Sequence, residues 1–133
     1  KYINSPQSLI YDKSKILFAL DKAKTVIREK DEIILVEGQM DAISCHNAGF
    51  KNVVAVSGTA LTTAQLALIK RYTKNIILAF DQDSAGVNAT DRGINEALKS
   101  DFKLRVALFP IGKDPDEIIR NNPKIFEEAI NNS

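Results

Sequence analysis

Three carboxylates stand where short apolar runs end. Asp81 and Asp83 follow the run Ile76–Phe80, and Glu37 follows Ile33–Val36. Residues two apart in extended chain face the same side, so Asp81 and Asp83 are spaced to address one cation. Two such charges a few ångströms apart repel by about 4 kcal/mol at an effective dielectric of about 20, a cost that a divalent ion removes. Asp41 comes four residues after Glu37, and Asp114 and Asp116 flank Pro115 late in the chain with Lys113 beside them. All these donors are oxygens, which suits Mg²⁺ or Mn²⁺ and not zinc. Mg²⁺ held by a few carboxylates keeps positions for water or phosphate oxygens, so the chemistry indicated is phosphoryl transfer. Four of these acids also have a plainer use. Asp81 or Asp83 can cap a following helix, Asp41 can sit favourably in a first helical turn, and Asp114 can cap a helix that has Pro115 at its first position.

These residues need elements to carry them. Lys1–Asp12 is polar, contains Pro6 and has no periodicity, as expected of an extended arm entering from a preceding subdomain. From Lys13 to Lys30 the apolar positions Ile16, Leu17, Leu20, Ala23, Val26 and Ile27 recur at helical spacing. Glu32–Val36 is a buried-type strand. Gln39–Ala48 reads as a helix with Met40, Ile43 and Ala48 facing inward and Gly49 as its stop. A strand at Asn52–Val56 leads to the turn Ser57–Ala60, and Thr62-Thr63-Ala64-Gln65 fits a capping box opening a helix to about Tyr72. After the central strand, Ser84-Ala85-Gly86 permits a tight turn into a helix over Val87–Ser100 with Ile94, Ala97 and Leu98 as apolar contacts. A fourth strand at Leu104–Phe109, a break from Pro110 to Pro115, and short helices at Asp116–Arg120 and Lys124–Ile130 complete the chain.

Strands alternating with long crossovers imply an α/β fold: a mostly parallel, four-stranded sheet with helices on both faces. Ligands of such sheets bind beyond the carboxyl ends of the strands. That rule places Glu37, the Ser57–Ala60 turn, Asp81, Asp83 and the segment after Phe109 on one rim.

Composition sets bounds on this reading. With 133 residues, 44% apolar and 26% charged, the chain suits one domain with its own core. Eighteen basic against 17 acidic residues leave a formal charge of +1, so any attraction for nucleic acid must be local. One cysteine, Cys45, and one histidine, His46, exclude a disulfide framework and a structural zinc cluster. Cys45 reads as a small buried group and His46 as a packing or surface residue. Lys70, Arg71 and Lys74 form a basic run that reads as a solvated helix end, with a nucleic-acid contact as the alternative. No membrane-length apolar run or signal peptide is evident, so the expected compartment is the cytoplasm. A start at Lys1 and a polar end suggest a piece of a longer protein.

The motifs together resemble one family. VEGQMD followed some forty residues later by FDQDSAG is similar to the Toprim signature of primases, topoisomerases, certain nucleases and recombination proteins. KYINSP, VEGQMDAISCHNAGF, SGTALT, LIKRYTKNIILAFDQDSAG and GKDPDEIIR resemble, within it, the Toprim part of bacterial DnaG-type primases over nearly the whole chain. The resemblance implies a Toprim-type Rossmann-like fold over 13–133, with residues 1–12 as an arm. It implies that Glu37, Asp81 and Asp83 are catalytic and hold metal, about two Mg²⁺ or Mn²⁺ ions with substrate, and that Asp41, Asp114 and Asp116 complete the acidic surface. Lys1, Tyr2, Lys13 and Lys113 are then the nucleotide and nucleic-acid contacts.

The implied reaction is DNA-templated RNA synthesis of primers. Its partners are a single-stranded DNA template, nucleoside triphosphates and the RNA primer, and in the full-length protein a replicative helicase and single-strand-binding protein; no membrane is involved. Two positions depart from the family pattern: Gln39 stands where an aromatic residue is frequent, and Gln82 where glycine is usual. The alternatives are a Toprim nuclease or topoisomerase fragment and a receiver-like, Mg²⁺-binding signalling domain, with Asp81 as phosphoacceptor and Lys113 on the later loop.

Overall fold

The computed structural model describes residues 16–57, 61–80, 94–95, 97–110 and 113–133. Four short strands, β1 (Ile33–Val36), β2 (Val53–Ala55), β3 (Asn75–Leu78) and β4 (Lys103–Val106), form a single sheet in the order β2-β1-β3-β4. Every pairing is parallel, with Leu35 level with Leu78 on one side and with Val54 on the other. The helices are α1 (Leu20–Lys30), α2 (Gln39–Asn47), α3 (Thr63–Lys70), α4 (Pro115–Asn121) and α5 (Pro123–Asn131), and residues 94–95 and 97–99 are also helical.

Strand alternation divides the core in two. Ile33, Leu35, Ile76 and Leu78 face α1, α3 and the helical stretch after residue 94, where Ala23, Ile27, Leu66, Ile69 and Ala97 meet them. Ile34, Val36, Ile77 and Ala79 face α2, α4 and α5, against Ala42, Cys45, Ile118, Phe126 and Ile130. A sheet buried on both faces explains why β1 and β3 are continuous apolar runs, while β4, at the edge, alternates Lys103 and Arg105 outward with Leu104 and Val106 inward.

The structure corrects three sequence expectations. The first helix begins at Leu20, not Lys13, as far as residues 16–19 show. Phe18 instead pairs with edge strand β2, its N–H donating to the Ala55 carbonyl at 2.9 Å and Ala55 N–H donating back at 3.1 Å, and Ala19 takes a left-handed conformation. Covering an open edge outweighs helical spacing here. In α2 the inward positions are Gln39, Asp41, Ala42 and Cys45, whereas Met40, Ile43 and, just past its end, Ala48 are exposed, because the helix turns its N-terminal polar residues toward α4. Leu98 is exposed, and Ala97 alone of that pair is buried.

Candidate functional site

Strand order fixes the site. The chain leaves β1 toward β2 on one side and later adds β3 and β4 on the other, so the β1/β3 boundary is the point where direction reverses and a crevice opens at the carboxyl ends. Half-buried Glu37 follows β1 at this boundary. Its carbonyl accepts the Ser57 N–H at 2.9 Å, which ties it to the end of β2. Phe80, buried, is the last described residue after β3 and immediately precedes Asp81. Asp81 and Asp83 themselves lie outside the described residues, as do Lys1, Tyr2, Lys13, Gly58 and Thr59.

Beside Glu37, α2 starts at Gly38, whose N–H donates to Asp41 Oδ2 at 3.2 Å. A Cβ on Gly38 would stand 3.2 Å from that same oxygen, close enough that the carboxylate would have to shift. The other Asp41 oxygen accepts the Asp116 N–H at 3.0 Å, joining the start of α2 to the start of α4. Burial lifts the Asp41 carboxyl from 3.8 to about 6; the two N–H donors oppose the rise, and the neighbouring Asp114 and Asp116 charges add to it. Ser44, one turn along α2, donates its hydroxyl to Asp116 Oδ1, and Arg120 pairs with Asp116 Oδ2 at 3.2 Å.

The plainer reading of Asp114 is realised: it caps α4, accepting the Glu117 N–H at 2.8 Å, with Pro115 buried at the first position. Lys113 pairs with Glu117 at 3.0 Å. Thus Asp41, Asp114 and Asp116 come together at one corner, with Lys113 at its margin. Among the described residues no three His, Cys, Asp or Glu side chains form a metal-holding group. The donors present are oxygens alone, however, and Glu37 stands at the switch point, which fits a hard cation completed by further carboxylates and phosphate.

Supporting residues escaped the sequence reading. Gln39, buried, donates to Ser57 Oγ at 3.3 Å, and Ser57 adopts positive φ at the end of β2. Ser44 was detectable as the residue three positions after Asp41 on one helical face; chain direction placed the turn containing Ser57 on the rim, but gave its side chain no role. Cys45 is fully buried, its thiol pushed up by burial and by the Asp41 and Asp116 charges. His46 Nε2 lies 2.8 Å from the Val53 carbonyl, the packing role expected of it.

A family model described as Toprim-like matches residues 34–119, which take in β2, β3 and β4 and all of β1 but its first residue. The chain belongs to the Toprim-like family. This Toprim domain is 48% identical over 135 residues to the DNA primase of Campylobacter jejuni, an alignment covering 98% of the domain and 22% of that protein. It superimposes on the Aquifex aeolicus primase structure comprising zinc-binding and RNA polymerase domains with a TM-score of 0.91 and 39% identity, covering 100% of the domain and 33% of that chain. A structure of the DnaG primase catalytic domain bound to ssDNA matches with a TM-score of 0.88 and 33% identity, over 99% of the domain and 44% of that chain. The Toprim domain therefore spans about a fifth of the length of the curated relative it matches. Among its described residues no helix is long and apolar enough to cross a membrane.

Proposed function

We propose that this chain is the catalytic Toprim domain of a DNA primase, in which residues 1–12 form an arm from a preceding subdomain and the longer protein makes RNA primers on a single-stranded DNA template. The observation that carries the reading is Glu37 at the β1/β3 switch point, with the strand leading to Asp81 and Asp83 beside it, in a chain similar to DNA primases along its whole length. In the reaction a primer 3′-oxygen forms a bond to the α-phosphorus of a nucleoside triphosphate, the bond from that phosphorus to the bridging oxygen breaks, and pyrophosphate leaves.

Glu37, Asp81 and Asp83 would hold Mg²⁺ or Mn²⁺, with Asp41, Asp114 and Asp116 completing the acidic surface. When bound, the ions supply charge neutralisation at the phosphate and acidify the attacking hydroxyl. The protein's share is positional: Ser57 N–H and the β1 ladder fix the Glu37 backbone, and Asp41 fixes the start of α4 relative to it. Lys1, Tyr2, Lys13 and Lys113 are assigned to nucleotide and nucleic acid, and helicase and single-strand-binding protein to the remainder of the full-length chain. No specific observation favours the nuclease, topoisomerase or receiver-like alternatives.

Primer synthesis by the full-length protein carrying Glu37→Gln or Asp83→Asn tests the assignment. Each change should lower the rate by on the order of a thousandfold, the scale of losing a group that stabilises transition-state charge. Titration of the domain with Mn²⁺ should broaden NMR signals around Gly38 first. Broadening centred on His46, with synthesis intact in both variants, refutes the site.

A further inference from the structure

The opposite end of the sheet carries its own charge pattern. The amino ends of β1, β3 and β4 border two adjoining depressions that share Asp31, Asn75 and Lys103 as walls. Their cations are Lys30, Lys70, Arg71, Lys74, Lys103 and Arg105, against three acids: Asp31, Glu32 and Asp101. Cations therefore outnumber acids two to one, although the neutral donors around Asp31 leave its charge in place. Asp31 accepts from the Thr73 hydroxyl at 2.8 Å and the Asn75 side chain at 3.1 Å, Glu32 pairs with Arg105, and Asp101 meets Lys74 at 3.7 Å with both groups solvated. A solvated pair of that kind neutralises little.

Lys30, Arg71 and Lys103 have no ion-pair partner among the described residues, and Lys70 makes only a 3.4 Å contact with the Ser100 carbonyl. Arg28, stacked on the ring of Tyr72 at 4.7 Å, brings a further cation to the margin. Across the whole sequence charge nearly balances, but six of the 17 acids are the rim candidates, so positive charge prevails elsewhere. A four-residue strand spans roughly 13 Å, which separates this depression from the acidic rim by the depth of the sheet.

We propose that this depression is a second nucleic-acid contact, holding the phosphate backbone of a single strand away from the rim. The inference rests on the primase reading for the identity of the polyanion. Unpaired Lys and Arg around a groove are the components of sequence-independent backbone contact, and the Tyr72 ring, covered by Arg28 and packed on the core, holds a cation there and is not a platform for bases. Because the contact is to phosphate, it contributes affinity that falls with salt and carries no base preference.

The experiment uses the full-length protein and a long oligothymidylate, with affinity measured by fluorescence anisotropy over a salt series. Combined Lys70→Ala, Arg71→Ala and Lys103→Ala should make the slope of log affinity against log salt shallower by about 2, since each neutralised phosphate on a single strand contributes about 0.7. Dinucleotide formation on a template too short to reach the depression should be unchanged, and Arg71→Lys alone should keep the slope. A slope unaltered by the triple substitution overturns the proposal. Glu37→Gln separates the two readings: it should retain the full slope, and primer synthesis surviving in it counts against the catalytic assignment and not against the groove.

Discussion

Asp41 and Asp116, seventy-five positions apart in sequence, meet through a backbone N–H donated at 3.0 Å into a buried carboxylate. Burial of that carboxyl, opposed by the N–H it accepts, makes the folded state hold a proton that the unfolded chain releases. Asp41 has its folded value raised from 3.8 to about 6, so between these pH values the native state binds more protons and loses stability as pH rises. Metal-free urea melts should show wild-type stability, relative to Asp41→Ala, falling by on the order of 2 kcal/mol from about pH 4 to pH 6 and then levelling. If Mg²⁺ reaches Asp41 directly, its addition erases that slope; if Asp41 acts only as the brace between α2 and α4, the slope persists.

Gly38→Ala should destabilise the domain by about 1 to 2 kcal/mol, because the added methyl meets Asp41 Oδ2 at 3.2 Å and that carboxylate is pinned on its other side by Asp116. Backbone conformation is not the cause, since Gly38 has φ −106° and ψ 154°. The penalty should therefore vanish when Gly38→Ala is placed in an Asp41→Ala background. A double-mutant cycle in chemical denaturation measures this coupling.

Cys45 should resist thiol reagents in the native state. It is fully buried on the face of α2 that packs against the sheet, and both burial and the carboxylates of Asp41 and Asp116 oppose the reactive thiolate. Labelling should be on the order of a hundredfold or more slower than for a free thiol and should accelerate with urea as the domain opens. Fast labelling without denaturant would show that α2 detaches locally.

Much of this arrangement was legible because strands buried on both faces must be apolar throughout: Ile33–Val36 and Ile76–Phe80 announced β1 and β3, and the capping box at Thr62 and Gln65 formed as its spacing requires. The rim followed from chain direction alone. What the residues could not reveal was set by tertiary competition. Ile16 and Leu17 carry helical spacing, yet the chain beside them bonds to β2, the outer strand of the sheet among the described residues. Met40 and Ile43 look inward by hydropathy, but the rotation of α2 is set by Asp41 and Ser44 reaching Asp116, which places polar residues on the buried side. Long-range hydrogen bonds of that kind leave no local pattern to read.

The cap at Asp114 allows its structural and chemical roles to be separated. Its side chain accepts the Glu117 N–H at 2.8 Å, and Asn caps a helix about as well as Asp, so Asp114→Ala should cost about 1 kcal/mol in thermal or urea unfolding while Asp114→Asn should be nearly neutral. Asp116 behaves differently. Its tie to Asp41 runs through the backbone and survives substitution, and its partner Arg120 is largely exposed, so Asp116→Ala forfeits chiefly the Ser44 hydroxyl bond, about 1 kcal/mol. Neither Asp114→Asn nor Asp116→Ala should unfold the domain. Nucleotide-dependent Mn²⁺ binding, measured by isothermal titration on the full-length protein, then reports ligand character without interference from stability. A fall in stoichiometry or affinity in both variants, with binding at Glu37 retained, assigns the corner to a second cation or to the triphosphate. Unchanged binding in both leaves Asp114 as the cap of α4 and Asp116 as the partner of Ser44, with Glu37, Asp81 and Asp83 alone responsible for metal.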